Sequence, residues 1–117
     1  MIKPILNHVA LTVADREKSA AFYGEFFGLT NRLHEDEHLL ILSDGAGGLL
    51  ALSEGDVPKI EPRTNHFGFQ AKSAADVLQM RKQFKQAGIT EAEFQSHGPV
   101  RVQVFDPDLY RVEVYAF

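Results

Sequence analysis

The fold of this chain is decided by a stretch that occurs twice, as NHVALTVAD at residues 7–15 and as NHFGFQAKS at residues 65–73. The two copies are separated by about half of the 117-residue chain. Each copy carries apolar residues at alternate positions, as a strand with one buried face does, which predicts strands over 5–13 and 65–71. Each also ends in a residue that commonly caps helices, Asp15 in the first copy and Ser73 in the second. The chain therefore reads as one half-unit written twice.

The rest of each half-unit follows the same order. A helical pattern comes after each copy and ends in Gly-hydrophobic-Thr, at residues 28–30 and 88–90. The apolar face of the second helix should be lined by Val77, Met80, Phe84 and Ala87. Strand patterns follow in both halves, at 30–36, 38–43 and 48–53, then near 92–96, at 100–105 and at 111–116. These patterns predict an α+β fold of two tandem βαβββ modules, with curved mixed sheets, helices on the outer face and a cup-shaped site inside. We expect a single domain over 1–117, with modules at 1–57 and 58–117 and a linker within 54–64.

Composition excludes several classes of function. The net charge of −4 argues against a nucleic-acid or anionic-membrane partner. Because the chain has no cysteine, disulfide frameworks, thiolate zinc sites and cysteine nucleophiles are excluded. The sequence shows neither a signal-peptide pattern nor an apolar run of membrane-spanning length. We therefore expect a cytoplasmic protein with a small-molecule partner.

Aligning the two halves points to a metal site. His8 matches His66 in the first strands, and Asp44 matches Asp106 in the turns before the last strands. The spacing between the two turns, applied to Glu113, gives Ala51 as its equivalent in the first half. The equivalent positions are then His8, Ala51, His66 and Glu113. A duplicated half-unit brings such positions together around a pseudo-twofold axis. Two histidines and one carboxylate suit one divalent first-row metal, Fe, Mn, Co, Ni or Zn, with open coordination positions.

Strand alternation predicts which other side chains share the face of Glu113. The valines of the last two strands should face the helix, which leaves the intervening polar residues on the opposite face. We expect that face to line a cavity and to contact substrate through Thr12, Gln70, Arg101, Gln103, Arg111 and Tyr115. Arg101 and Arg111 would bind a carboxylate or phosphate group, because a guanidinium matches such oxygens bidentately. In the simpler alternative, Glu113 only pairs with one of these arginines.

The ordered motifs resemble a known superfamily. NHVALTVAD, AFYGEFFGL, NHFGF and FDPDLYRVEVY are similar to the vicinal oxygen chelate superfamily, which includes glyoxalase I, fosfomycin-resistance thiol transferases, extradiol dioxygenases, methylmalonyl-CoA epimerase and bleomycin-resistance proteins. The resemblance implies a metal-dependent enzyme that acts on a small oxygen-rich, anionic metabolite. It would be a lyase or isomerase, a dioxygenase, or a catalyst of thiol or water addition. The metal would chelate the substrate and act as a Lewis acid, with Glu113 in the catalytic set. It also implies a homodimer, in which each cup takes one module from each chain.

Four positions depart from the patterns of individual family members. Ala51 stands where glyoxalase I and the epimerase usually place a ligand, which disfavours both readings. The His-His-Glu set is closer to the fosfomycin enzymes and the extradiol dioxygenases. However, Ala10 and Gln103 stand where the fosfomycin enzymes have threonine and tyrosine. Leu109 replaces the usual glycine of the turn, so this turn could differ locally.

Two other classes of function stay open. The first is a metal-free binding protein of the bleomycin-resistance kind, although such proteins typically lack the His-His-Glu set. The second is a structural or ligand-sensing module that uses the cavity without chemistry. His34, His38 and His97 have no matching partner in the other half and are predicted to be surface residues.

Overall fold

The computed structural model describes residues 2–59 and 64–117. The chain divides into two compact units, Met1–Pro58 and Lys59–Phe117. Residues 60–63 of the predicted linker lie outside the described residues. Each unit contains one strand, one helix and three further strands in that order, so the predicted α+β class with two βαβββ modules is confirmed.

The elements lie close to their predicted positions. In the first unit they are β1 (His8–Val13), α1 (Arg16–Phe27), β2 (Asn31–Glu35), β3 (Leu40–Ser43) and β4 (Leu49–Glu54). In the second unit they are β5 (Phe67–Gln70), α2 (Ala74–Gln86), β6 (Glu91–Gln95), β7 (Val100–Phe105) and β8 (Arg111–Ala116). Neither helix of the described residues is long and apolar enough to cross a membrane.

Both sheets are mixed and have the same strand order. The first sheet runs β1-β4-β3-β2 and the second runs β5-β8-β7-β6. In each sheet the first strand pairs in parallel with the last strand, and the other pairs are antiparallel. A parallel pair needs a long crossover connection, which the helix and the two middle strands provide. The first and last strands of a unit thus become neighbours although they are far apart in sequence.

Each unit buries one face of its sheet against its own helix. α1 contacts β4, and α2 contacts β7 and β8. In the second unit, four of the valines of β7 and β8 that were predicted to face the helix are at most 1% exposed: Val102, Val104, Val112 and Val114. Val100, at the start of β7, is only half-buried. Val77 and Phe84 of α2 are also buried, at 0% and 2% exposure. Burying such side chains contributes roughly 1.5–3 kcal/mol each, so this layer is the main source of stability in the unit.

The predicted helix caps are present. Asp15 accepts hydrogen bonds from the backbone N–H groups of Glu17 and Lys18, and Ser73 accepts one from Asp76. Gly28 ends α1 in the left-handed conformation, with φ 69°. Because each cap depends on residues next to it in sequence, these boundaries could be predicted without knowing the rest of the fold.

Three local predictions were wrong. The strand expected over 65–71 begins only at Phe67, so Asn65 and His66 lie just before it. The first strand was expected from residue 5 but begins at His8, and Ile5 and Leu6 are exposed. Its parallel partner β4 begins only at Leu49, whose N–H donates to the carbonyl oxygen of Asn7, so Ile5 and Leu6 have no strand to pair with. Ala87, expected on the apolar face of the second helix, is exposed because α2 ends at Gln86 and Ala87 is its C-cap residue.

The turns before β4 and β8 show the internal repeat most clearly. Asp44 Oδ1 accepts hydrogen bonds from the N–H groups of Ala46 and Gly48, and Asp106 Oδ1 accepts them from Asp108 and Tyr110 in the matching positions. The position before the second donor has positive φ in both turns. It is occupied by Gly47 in the first turn (φ 104°) and by Leu109 in the second (φ 72°).

Leu109 stores strain that its glycine counterpart avoids. A non-glycine residue in the left-handed region costs roughly 1–2 kcal/mol, because its Cβ crowds the following carbonyl oxygen. The Leu109 side chain is 71% exposed, so it recovers little of this cost by burial. The second turn nevertheless keeps the backbone conformation of the first, because Asp106 Oδ1 accepts hydrogen bonds from the N–H groups on either side of Leu109.

Leu109→Gly should therefore stabilise the protein by about 1 kcal/mol, after allowing for the greater freedom of glycine in the unfolded chain. The expected rise in Tm is about 4 °C. The reciprocal change, Gly47→Leu, tests the same backbone position in the other unit and should lower the Tm. Circular dichroism melts of both variants would measure the effect, and an unchanged or lower Tm for Leu109→Gly would contradict it.

Asp36 organises the turn between β2 and β3. Its Oδ1 accepts hydrogen bonds from the N–H groups of His38 and Leu39, each at 2.8 Å, and its Oδ2 lies 2.9 Å from His34 Nε2. The His38 N–H is the main cause that lowers the pKa of Asp36 from 3.8 to about 2, and the bonds from His34 and Leu39 act in the same direction. The ionised carboxylate is thus held more firmly in the folded chain than in the unfolded one.

The sign of this shift predicts how stability depends on pH. Because the folded pKa lies below the unfolded value, the stabilisation is complete above about pH 4 and is lost as the pH falls towards about 2. Asp36→Asn keeps an oxygen for the two backbone bonds but loses the charge. It should have a lower Tm than the wild type at pH 7, and the difference should close towards pH 2. Asp56→Asn, at an exposed site with the same change in charge, should give no such closing gap.

Candidate functional site

The second sheet places a row of residues across its four strands. Gly68 of β5 pairs with Glu113 of β8, Glu113 with Gln103 of β7, and Gln103 with Glu93 of β6. Direct cross-strand neighbours lie on the same face of a sheet. This is the face opposite the buried valines, as the alternation predicted. The carboxylate of Glu113 therefore lies within reach of side chains from all the neighbouring strands.

Five side chains on this face form a closed ring of contacts. Arg101 Nη1 lies 3.3 Å from Glu113 Oε1 and 3.3 Å from Glu93 Oε2. On the other side, Gln103 Nε2 donates to Glu113 Oε1 at 3.2 Å, and Gln103 Oε1 accepts from Arg111 Nη1 at 3.4 Å. Arg111 Nη1 closes the ring at 3.5 Å from Glu93 Oε1. We call these five residues the charge ring. In it the positive charges of two arginines match the negative charges of two glutamates, and the fifth member is the amide of Gln103.

The charge ring orients Glu113 and leaves one of its oxygens facing a histidine. Arg101 and Gln103 both contact Oε1, whereas Oε2 lies 3.7 Å from His66 Nε2. The Glu113 side chain is 13% exposed and that of His66 is 35% exposed. This arrangement points one carboxylate oxygen and one imidazole nitrogen towards each other.

A hydrogen bond at the other ring nitrogen of His66 fixes which of the two nitrogens carries the proton. Nδ1 lies 2.9 Å from the carbonyl oxygen of Thr64. A carbonyl oxygen can only accept, so Nδ1 carries the proton and donates. In the neutral ring Nε2 then bears the free lone pair, directed at the Glu113 side. A backbone carbonyl on the second nitrogen is the usual support of a metal-binding histidine.

Gly68 makes room for Glu113. A Cβ atom added at Gly68 would lie 3.2 Å from both the Cβ and the backbone oxygen of Glu113, and 3.6 Å from its Oε2. The two contacts at 3.2 Å are tighter than ordinary van der Waals packing, whereas the one at 3.6 Å is ordinary. The absence of a side chain at Gly68 therefore leaves room for the Glu113 side chain beside His66.

The donor pair fits a divalent metal ion. Two ligand atoms bound to one ion at about 2.1 Å each are about 3–3.5 Å apart, and His66 Nε2 and Glu113 Oε2 are separated by only slightly more. Imidazole nitrogen with carboxylate oxygen is a donor set that suits Mn, Fe, Co, Ni or Zn. Within each unit, taken over its described residues, no group of three such side chains is arranged as a complete metal site. His8 belongs to the first unit, so its part in a three-ligand set stays a prediction.

Glu93 is a site residue that strand alternation alone does not find. Residues 91 and 93 of a regular strand would face the same way, but the pairing of β6 with β7 slips between them. Glu91 turns to Arg81 of α2, with contacts of 2.7 and 3.1 Å, while Glu93 turns to the charge ring. The sequence carries only an indirect signal for Glu93: two arginines predicted on one half-buried face need acidic side chains as partners.

The other predicted substrate-contact residues are spread over both units. Gln70 and Tyr115 are cross-strand neighbours, and Tyr115 also pairs with Arg101, so all three share the face of the charge ring. The Tyr115 ring packs edge-on against Phe117 at 5.6 Å. Thr12 lies in β1 of the first unit, opposite Ser53 of β4. Their contact with a substrate stays a prediction.

The histidines predicted to lie at the surface show different surroundings. His34 bonds Asp36, and His38 is exposed, with its side-chain exposure at 86%. The backbone carbonyl of His97 accepts a hydrogen bond from Gln95 Nε2. Within the parts of the two units that the structure describes, none of the three joins the charge ring.

Comparison with known proteins supports the resemblance of the fold. Among curated proteins, the chain is 31% identical over 86 residues to the probable trivalent organoarsenical cleaving enzyme of Bacillus subtilis (strain 168). The match covers 74% of this chain and 58% of that enzyme, so the chain spans little more than half of its relative's length.

Solved structures match nearly the whole chain. A possible glyoxalase from Bacillus cereus is 27% identical with a TM-score of 0.79, and the match covers 94% of this chain and 96% of that one. A variant of the fosfomycin resistance protein FosX from Listeria monocytogenes, in complex with Mn(II) and 1S,2S-dihydroxypropylphosphonic acid, is 20% identical with a TM-score of 0.82. That match covers 98% of this chain and 90% of FosX, and it shows a shared fold.

The family assignment follows from sequence and fold together. The model of one family matches residues 5–114, which include both Asn-His strands and the strand of Glu113. The two βαβββ units, their shared sheet order and the solved structures agree with it. The chain belongs to the Glyoxalase/Bleomycin resistance protein/Dioxygenase superfamily.

Proposed function

We propose that this protein is a metal-dependent enzyme that acts on a small, oxygen-rich, anionic metabolite. The observation that carries the proposal is the pair of His66 Nε2 and Glu113 Oε2, which face each other across 3.7 Å with their other atoms held elsewhere. The Mn(II) in the related FosX structure supports a divalent ion in general. The enzymatic names of several relatives support a catalytic role.

Each residue has a distinct part in this proposal. His66 and Glu113 would hold the ion, together with His8 of the first unit. When bound, the ion supplies Lewis-acid polarisation of adjacent substrate oxygens. Arg101 and Gln103 fix the rotamer of Glu113 through its Oε1, so Oε2 stays directed at His66. Arg111 and Arg101 provide positive charge for an anionic group of the substrate.

A second candidate function is also supported by a specific observation. In the charge ring, Glu113 already has a counter-charge in Arg101, at 3.3 Å, so the carboxylate is satisfied without a metal. A metal-free protein that binds a small molecule, as bleomycin-resistance proteins do, would use the same face without chemistry. The two candidates differ in whether the purified protein binds a divalent ion with one-to-one stoichiometry.

Metal titration separates these candidates. Protein stripped of metal should bind one equivalent of Mn, Fe, Co, Ni or Zn per chain, measured by calorimetry and by elemental analysis. His66→Ala removes a ligand and should weaken this binding by at least about tenfold, while leaving the fold intact. His38→Ala removes an exposed histidine and serves as the matched control. If the wild type binds none of the five metals, the metal-dependent function is wrong.

We also propose that the protein is a homodimer with two equivalent sites, each completed by His8 of one subunit and by His66 and Glu113 of the other. The duplicated half-units supply this division of ligands, because His8 lies in the first unit and the other two lie in the second. The family resemblance supports an exchange of modules between chains. The alternative is a site completed within one chain.

Mixing two inactive variants tests the exchange. His8→Ala and Glu113→Ala should each bind little metal alone. In a mixed dimer with exchanged modules, both defects fall in one site and the other site is intact, so half of the metal binding should return. Sedimentation at twice 13.1 kDa would verify the dimer. No recovery after confirmed subunit exchange would place the complete site within a single chain.

A further inference from the structure

The bulge in β6 gives Glu93 an unusual position. Because the pairing slips between Glu91 and Glu93, the two carboxylates point to different sides: one to Arg81 of the helix and one to the charge ring. β6 is an edge strand of its sheet, so Glu93 lies at one end of the row that crosses the site. Its side chain is 21% exposed, and solvent therefore reaches it. Bulges commonly re-aim a side chain beside a functional site.

Glu93 forms ion pairs with both arginines of the site. Its Oε2 lies 3.3 Å from Arg101 Nη1 and its Oε1 lies 3.5 Å from Arg111 Nη1. These are the contacts that two oxygens of a substrate carboxylate or phosphate would make with the same arginine pair. With Glu93 and Glu113 ionised, the charge ring has no excess positive charge to attract an anion.

We propose that Glu93 is an internal counter-ion that competes with the anionic group of the substrate for Arg101 and Arg111. The ligand class is an oxyanion, a carboxylate, phosphate or phosphonate, whose oxygens replace those of Glu93. Glu93 turns outward from the edge strand when such a group binds. The residue thereby excludes weakly binding anions and favours a substrate that is also held by further contacts in the site. This inference deepens the proposed function and rests on it for the identity of the site.

The distances from Glu93 to the two arginines are consistent with its displacement by an anion, and not with a permanent ion pair. The contacts of Glu93 are longer than those of Glu91 with Arg81, which are 2.7 and 3.1 Å. Charge-assisted bonds of good geometry are about 2.7–2.9 Å long. Glu113 is also held by Gln103 Nε2, at 3.2 Å, so the carboxylate beside His66 stays oriented when Glu93 leaves Arg101.

The test uses inorganic phosphate and protein in metal-free buffer. Glu93→Gln removes the competing charge, so phosphate should bind about five- to tenfold more tightly than to the wild type, as measured by calorimetry or NMR titration. Glu91→Gln is the matched control, since it makes the same change in net charge two residues away. It should leave phosphate binding unchanged. Glu93→Asp keeps the charge but is too short to reach both arginines, and it should give an intermediate gain.

Further variants decide whether the arginines carry the effect. Combining Glu93→Gln with Arg111→Ala should remove the gain in phosphate affinity. The proposal is overturned if Glu93→Gln shows no saturable gain, if Glu91→Gln gives the same gain, or if the gain survives the loss of Arg111. Because these titrations contain no metal, their outcome is separate from that of the metal titration. Failure to bind metal would overturn the proposed enzyme function and leave the result for Glu93 standing.

Discussion

Parallel pairing of the first and last strands is the constraint on which the second unit depends. It places Gly68 beside Glu113 in the register and so brings His66, two residues earlier, next to a carboxylate far along the chain. The pairing is possible because the helix and two strands between them form the crossover. The same pairing joins β1 to β4 in the first unit. The contact between His66 and Glu113 is built on this register.

The charge ring shows how a sheet face can hold several ions without leaving any of them unpaired. The two guanidinium groups each contact an acidic side chain, and both ends of the Gln103 amide are bonded. Gln103 is only 3% exposed, so an unsatisfied amide there would be costly. The ring fixes Glu113 from one side only. Its free side, facing His66, is where the two candidate functions differ.

Much of the fold could be predicted from the sequence, because its signals are local. Asp15 and Ser73 cap helices through neighbouring N–H groups, and the alternation of valines marks the buried face of β7 and β8. The position of Glu93 could not be predicted in this way, since a bulge depends on the pairing of two strands. The φ of Leu109 is likewise imposed by the bonds of the turn, against the preference of leucine.

The space at Gly68 also limits how the two halves of the chain could have diverged. In the first unit the corresponding neighbours are Ala10 and Ala51, both with a Cβ atom. In the second unit a Cβ opposite Glu113 would be crowded at 3.2 Å. A glutamate at position 51 would therefore lie beside a Cβ atom at residue 10, which Glu113 does not meet at Gly68. The two repeats thus differ in the room beside the carboxylate position as well as in the carboxylate itself.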